Sequence, residues 1–234
     1  MIAPRGLYGM IDVPARGEPP RPSPSPGGVT KGETPTNPVV AMADTIGGAI
    51  KLACALVDGG ASMLQLRMKD ASGAELYRLA YVLRPLCREL GVPFIVNDRL
   101  DVALAVAADG VHLGQDDLPL AAARPLVPAG FVIGVSTHNE AQARAAIAGG
   151  ADYLGFGPCF PTHTKRNPDP VVGLEQLAFV SGLGAPVVAI GGITLDTIAA
   201  VAASGCAAAA VIRAVNSADD VALAARFVTS AFAR

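Results

Sequence analysis

A (βα)8 barrel of the α/β class, one domain with a Pro-rich insertion after its first strand, is the fold this sequence predicts. Three observations predict it. The 234 residues suit one such barrel without division into two domains. Short apolar runs alternate with longer amphipathic stretches eight times along the chain. Polar residues collect where those runs end, the face on which barrels of this kind assemble their sites.

Taken in order, strands are expected at residues 6–13, 63–67, 93–97, 110–113, 132–136, 153–157, 186–190 and 208–212. Helices are expected after them at residues 41–59, 73–90, 100–107, 118–126, 139–148, 173–180, 195–203 and 218–233. A doubly wound open sheet is the alternative, but no GxGxxG follows the first strand, so a dinucleotide site lacks support. Residues 14–38 hold 8 of the 19 prolines and 4 of the 26 glycines, with Ala15 and Val29 as their only apolar residues. Proline fixes φ and removes a backbone donor, so this stretch is expected as a surface excursion rather than a core element. A tolerated insertion accounts for it, since loops accept length at small entropic cost; a lid or docking segment is the alternative.

Composition narrows the function. The chain is 51% hydrophobic with a mean hydropathy of +0.43, no Trp and 5% aromatics, which points to a core of small side chains with helices packed close on strands. With 18 basic and 20 acidic residues, a net charge of −2 and a pI near 5.9, it has no overall positive field to attract nucleic acid or anionic lipid. Any phosphate site is therefore a local device. No stretch approaches about 18 consecutive apolar residues, and residues 1–13 lack the apolar segment of a signal peptide, so a cytoplasmic protein without membrane contact is expected. Cys54, Cys87, Cys159 and Cys206 lie far apart with no CxxC pair, which suits reduced core residues better than zinc or redox chemistry.

The strand ends carry the chemistry. In the second, Gln65, Leu66, Arg67, Met68 and Lys69 place Gln65, Arg67 and Lys69 on one face under the two-residue period. A planar guanidinium beside a compact ammonium suits a polyanion such as diphosphate. The third strand ends in Asn97, Asp98 and Arg99, and the fourth runs into Gln115, Asp116 and Asp117. Asp98 and Asp117 either face one another and share a Mg²⁺ with substrate oxygens, or each caps the helix that follows. Ser136, Thr137 and His138 end the fifth strand, and Thr162, His163, Thr164 and Lys165 follow the sixth in a pattern suited to wrapping an anion. Gly191 and Gly192 after the seventh strand, and Ile212 and Arg213 after the eighth, can bring backbone amides to a phosphate. His112, inside the fourth strand, is expected as a packed, hydrogen-bonded residue; His138 is open between ligand contact and helix start.

In order, the segments QLRMK, NDR, ADGVHLGQDD, GVSTH, GFGPCFPTHTK and AIGGIT resemble those of the thiamine phosphate synthase (thiamine-phosphate pyrophosphorylase) family, from about Leu7 to the C-terminus without the insertion. The resemblance implies a transferase that joins a pyrimidine methyl diphosphate to a thiazole phosphate, or its carboxylated form, releasing diphosphate. It implies that Gln65, Arg67 and Lys69, within the segment that also holds Leu66 and Met68, bind the pyrimidine diphosphate with Asn97, Ser136 and Lys165, and that Asp98 and Asp117 hold Mg²⁺. Arg67, Lys69, Ser136 and Lys165 would act on the reacting groups. Thr162, His163, Thr164, Gly192, Ile212 and Arg213 would hold the thiazole phosphate. Small-molecule substrates are the implied partners, and a homo-oligomer is left open. Strand eight departs from the family pattern: Ala207 to Ala210, Val211, Ile212 and Arg213 stand where an acidic-Gly pattern ending in a small residue is usual. A thiazole tautomerase on the same scaffold, needing no metal carboxylates, and a non-catalytic thiamine-pathway binding protein are the alternatives.

Overall fold

The computed structural model describes residues 2–13, 38–69, 71–162 and 169–233. Its strands are β1 (Gly6–Val13), β2 (Ala61–Met68), β3 (Phe94–Asn97), β4 (Gly110–Leu113), β5 (Val132–Thr137), β6 (Tyr153–Phe156), β7 (Val187–Ile190) and β8 (Ala208–Ala210). They pair in parallel, in sequence order, and β8 closes on β1 to complete a barrel. Around it lie α1 (Pro38–Asp58), α2 (Gly73–Glu89), α3 (Leu100–Ala105), α4 (Leu120–Ala123, prolonged by a 3-10 turn over Arg124–Leu126), α5 (Glu140–Ala148), α6 (Gly173–Ser181), α7 (Ile198–Ala203), α8 (Arg213–Asn216) and α9 (Val221–Ala231). The insertion up to residue 37, together with His163, Thr164 and Lys165, lies outside the described residues. No helix among them is long and apolar enough to cross a membrane.

Successive side chains of a strand leave on opposite faces, and that alternation sorts the core into two parts. Leu7, Ile11, Leu64, Leu66, Val96, Val111, Ile133, Leu154 and Phe156 face the helices and form the main core. Tyr8, Met10, Met63, Ile95, Val132, Tyr153, Val188 and Ala208 fill the interior of the barrel. Tyr153 and His112 need space there, and glycine provides it. A Cβ on Gly134 would run into the Tyr153 ring, and one on Gly155 would sit 3.1 Å from the His112 ring.

Helix starts follow local chemistry. Ser72 and Glu75 make a reciprocal capping box at α2, Asn139 accepts from the Gln142 N–H at α5, and Asp220 accepts from the Leu223 N–H at α9. Charged residues at the N-terminal rim of the barrel are paired. Asp109 accepts from the Phe94 N–H at 2.8 Å and binds Arg84, while Asp152 accepts from the Ile133 N–H at 2.7 Å and binds Arg124. Each aspartate ties one strand start to its neighbour and leaves its carboxylate neutralised.

The end of the barrel departs from the sequence expectation. The eighth strand stops at Ala210 rather than residue 212, and the chain turns at once into the short α8, over residues where the sequence pattern placed no helix. The reason lies at the seam: the β1–β8 ladder ends at Leu7 and Ala209, and beyond it the Asn216 side chain donates to the Met10 carbonyl at 2.8 Å. A side-chain amide replaces strand pairing there, which frees residues 211–213 to bend over the barrel mouth. Other element ends shift by three residues or fewer.

Gly134→Ala is expected to destabilise the protein by about 1–3 kcal/mol, the usual cost of overpacking an interior site, because the added methyl meets the Tyr153 ring. Urea unfolding of the variant beside the parent checks this; a change under about 0.5 kcal/mol would show that the ring moves aside freely.

Candidate active site

A cavity of about 400 Å³ opens at the C-terminal ends of the strands. Its walls come from the inward positions of consecutive strands: Gln65 and Arg67 of β2, Asn97 of β3, His112 of β4, Ser136 of β5, Gly155 of β6 and Ile190 of β7. Lys69, Asp98, Asp117, His138, Thr162 and Ile212 reach it from the loops that follow. Leu66 and Met68, which alternate with Gln65, Arg67 and Lys69 in sequence, turn the other way and pack in the helix-facing core. Of the residues singled out in the sequence, the structure thus brings Gln65, Arg67, Lys69, Asn97, Asp98, Asp117, Ser136, Thr162 and Ile212 to one cavity.

The two anion-side cations are held differently. Arg67 Nη1 lies 2.5 Å from Asp12 Oδ1, in a half-buried pair that spans β2 and β1, so the guanidinium is fixed at the mouth. Lys69 Nζ is 3.7 Å from Asp98 Oδ2 and is the more exposed of the two. Asp12 has no place in the motifs read from the sequence. The register that sets Asp12 opposite Arg67 could have indicated it, once β1 and β2 were known to be neighbours.

Asp98 and Asp117 do not cap helices, so one of the two readings offered by the sequence falls away. The N-cap of α3 is Arg99 and that of α4 is Pro119, neither with a side-chain cap hydrogen bond. Asp98 instead adopts a left-handed backbone (φ 63°), a conformation that Asp tolerates better than most residues, and its N–H donates to the His112 carbonyl at 2.8 Å. Asp117 Oδ2 accepts from the Gly114 N–H at 2.6 Å. Burial first, then the charge and hydrogen bond of Asp117, push the Asp98 carboxyl up to about 6, with Lys69 and Arg67 opposing the shift. Two carboxylates so close are short of positive charge. Arg99, the third residue of NDR, turns away to Asp101 on the surface.

Beneath the charged mouth lies a buried, uncharged floor. Gln65 Nε2 donates to the Tyr8 hydroxyl at 2.9 Å, the Tyr8 and Tyr153 hydroxyls are 2.7 Å apart, His112 Nδ1 is 2.9 Å from Tyr153, and His112 Nε2 is 2.9 Å from Ser136 Oγ. His112 is packed and hydrogen-bonded, as expected, and it also lines the cavity. Burial lowers its pKa to about 4 and raises those of both tyrosines, so all three are neutral near pH 7. Tyr8 and Tyr153 escaped the sequence reading because they stand in apolar runs. The available signal was that a buried tyrosine hydroxyl requires a partner.

The opposite side is more open. His138 Nδ1 donates to the Gly157 carbonyl at 2.6 Å and its Nε2 lies 3.4 Å from Asp169 Oδ2, tying the end of β5 to the far end of the loop after β6. Gly192 has a left-handed backbone (φ 68°) and packs against the carbonyls of Phe160 and Pro161, so a side chain there would collide with the main chain. Gly192 itself does not line the cavity, whereas its neighbour Gly191 does. Arg213 is exposed at the start of α8 and does not line the cavity, whereas Ile212 does.

With this geometry established, comparison with known proteins decides the family. Residues 38–215 match the family model for thiamine monophosphate synthase. The chain belongs to this family. A thiamine-phosphate synthase of Methanospirillum hungatei is 50% identical over 178 residues, covering 76% of this chain and 86% of the relative. One from Chlorobium luteolum is 51% identical over 169 residues, covering 72% of this chain and 80% of the relative. Among solved structures, a thiamine phosphate pyrophosphorylase from Pyrococcus furiosus superposes with a TM-score of 0.72 at 40% identity, over 78% of this chain and 88% of that one. As a family member the chain is an enzyme, a transferase of thiamine biosynthesis.

The crowded carboxylate pair gives a stability test. Asp98→Asn is expected to stabilise the metal-free protein by roughly 1–3 kcal/mol at pH 8, since each tenfold change in a protonation equilibrium is worth about 1.36 kcal/mol. The raised carboxyl means that its ionised form costs the folded state free energy above about pH 6. That cost disappears below the ordinary carboxylate range, so the gain should vanish near pH 3.5. Urea unfolding with a chelator at both pH values checks the sign.

Proposed function

We propose that the chain condenses a pyrimidine methyl diphosphate with a thiazole phosphate, giving thiamine phosphate and diphosphate by a Mg²⁺-assisted dissociative alkyl transfer in the cytoplasm. The observation that carries it is the division of one cavity into a charged mouth, with Arg67 and Lys69 beside the Asp98–Asp117 pair, and a neutral polar floor at Gln65, His112 and Ser136. The mouth suits a diphosphate and the floor a polar heterocycle.

Asp98 and Asp117 fit Mg²⁺. Their mutual repulsion is relieved by a divalent cation, and among the described residues no group of three or more acidic, His or Cys ligands forms a full protein cage. One or two carboxylates plus substrate phosphate oxygens is the usual Mg²⁺ arrangement. When bound, the ion would neutralise charge that grows on the departing diphosphate.

The chain's own groups do the rest. Arg67, fixed by Asp12, and Lys69 would bind the diphosphate oxygens, with Asn97 and Ser136 as hydrogen-bonding partners. Lys165, outside the described residues, is proposed as a third cation on the same group. The carbon–oxygen bond breaks with its electron pair leaving on diphosphate, and the pyrimidine ring stabilises the methyl cation. The thiazole nitrogen lone pair then forms the new carbon–nitrogen bond. Placing that nitrogen is proximity work, assigned to a phosphate anchor at Thr162, Gly192 and the backbone of Ile212 and Arg213, together with His163 and Thr164 outside the described residues. No side-chain nucleophile is needed. The carboxylate pair beside Lys69 favours this reading over an isomerase, which has no diphosphate to neutralise.

The deciding assay supplies both substrates with and without Mg²⁺ and follows thiamine phosphate and diphosphate together. Equimolar, Mg²⁺-dependent formation of both is expected, and neither product from folded protein would overturn the reading. Asp117→Ala should lower kcat about 100-fold or more, within the range for groups that stabilise developing charge; near-normal rates would remove it from the ligand set. Because Arg213 is exposed and off the cavity wall, Arg213→Ser should change the KM for thiazole phosphate by less than about tenfold, roughly 1.4 kcal/mol. Loss of turnover would instead make that side chain essential.

A further inference from the structure

The hydrogen-bond chain under the cavity has a direction, set by the Gln65 amide, whose N–H donates at the first contact. Four contacts of 2.7 to 2.9 Å link Gln65, Tyr8, Tyr153, His112 and Ser136 in that order. The first four residues are at most 8% exposed, so the protons must be arranged among these groups themselves. Each hydroxyl carries one proton and a neutral imidazole one. A Gln65 N–H occupies the first contact, so Tyr8 gives its proton to Tyr153, and Tyr153 gives its own to His112 Nδ1. The ring proton is then on Nε2 and donates to Ser136 Oγ. The Ser136 proton has no place left in the chain and is free for the cavity, which Ser136 lines. An imidazolium would bring five protons to four contacts and set Gln65 and Tyr8 donor against donor.

We infer that Tyr8, Tyr153 and His112 are positioning residues, which hold the Ser136 hydroxyl as a donor toward an anionic oxygen of the substrate and lock the orientation of the Gln65 amide. The two ligand-facing ends are coupled through the three residues between them. Gln65 keeps its carbonyl oxygen and second N–H for the edge of an aminopyrimidine, while Ser136 offers a proton to the diphosphate end. Turning the Gln65 amide over would reverse every bond in the chain and make Ser136 an acceptor, presenting lone pairs to an anion. The identity of the ligand rests on the proposed transfer reaction; the direction of the chain does not.

The test begins with the full chain labelled with ¹⁵N-histidine, its long-range ¹H–¹⁵N spectrum recorded at pH 7.5 and His112 assigned by difference from His112→Asn. The Nε2–H tautomer is expected. An Nδ1–H tautomer, or an averaged mixture, would overturn the inference. Kinetics supply the second arm. Tyr153→Phe should raise the KM for the pyrimidine diphosphate about tenfold and leave that for thiazole phosphate within about twofold. In a Ser136→Ala background the same change should add less than about twofold, because the end of the chain is already gone. Equal losses in both backgrounds would mark Tyr153 as structural only. Tyr8→Phe takes its place if Tyr153→Phe does not fold, as judged by circular dichroism. Should the unaltered chain make no thiamine phosphate, the transfer reading fails while the tautomer still decides the direction.

Discussion

Polar groups inside the barrel must satisfy one another, and much of the site follows from that constraint. A buried donor or acceptor without a partner costs about 1–3 kcal/mol, and the layer formed by Met63, Ile95, Val132, Val188 and Ala208 offers none. Tyr8 and Tyr153 therefore turn their hydroxyls to each other, and the excess hydrogen-bonding capacity of the pair is taken up by Gln65 on one side and His112 on the other. The Tyr153 ring fits because Gly134 leaves room, and the His112 ring because Gly155 does. Glycine spacing, tyrosine placement and the histidine inside a strand are one device, and its upper surface is the floor of the cavity.

Charge is treated in opposite ways at the two ends of the barrel. At the N-terminal rim, Asp109 and Asp152 each receive both an arginine and a backbone N–H, so the charges serve strand alignment and face no ligand. At the C-terminal rim the pairing is incomplete. Arg67 has Asp12, but Asp98 has only Lys69, 3.7 Å away, and burial together with the neighbouring Asp117 pushes its carboxyl up to about 6. Under the proposed function this rim takes both a polyanion and a cation, and incomplete internal pairing suits that, since each internal partner would compete with the ligand.

The sequence made the strands legible because their apolar runs are bounded and evenly spaced, and it exposed Gln65, Arg67 and Lys69 because three polar residues at alternating positions are conspicuous in such a run. It did not expose Tyr8 and Tyr153, whose rings satisfy an apolar pattern while their hydroxyls do separate work. Nor could it find Asp12, whose role depends on facing Arg67 across a strand pair. Whether Asp98 caps a helix was undecidable locally, since the aspartate stands just before one; its left-handed backbone and the absence of a side-chain cap on α3 exclude the cap. Helix α8 was hidden for a related reason, as its four residues lie beside a seam closed by the side chain of Asn216 rather than by a longer strand.

The charged mouth and the neutral floor are also joined mechanically. Asn97 and His112 face each other in the β3–β4 register, and the His112 carbonyl accepts the Asp98 N–H immediately beyond it. The same residue therefore fixes the backbone of one carboxylate with its main chain and the Ser136 hydroxyl with its ring. Ser136 in turn has its carbonyl bound by Gln115, two residues before Asp117. A displacement of His112 would shift the Asp98 backbone and the floor together, so the relative placement of the carboxylate pair and the polar floor depends on one histidine held within a strand. That explains why a residue which burial renders unprotonated near neutral pH stands at the centre of a site whose chemistry is electrostatic: its contribution is geometry, and a fixed neutral ring supplies geometry without adding a charge that the ligands would have to overcome.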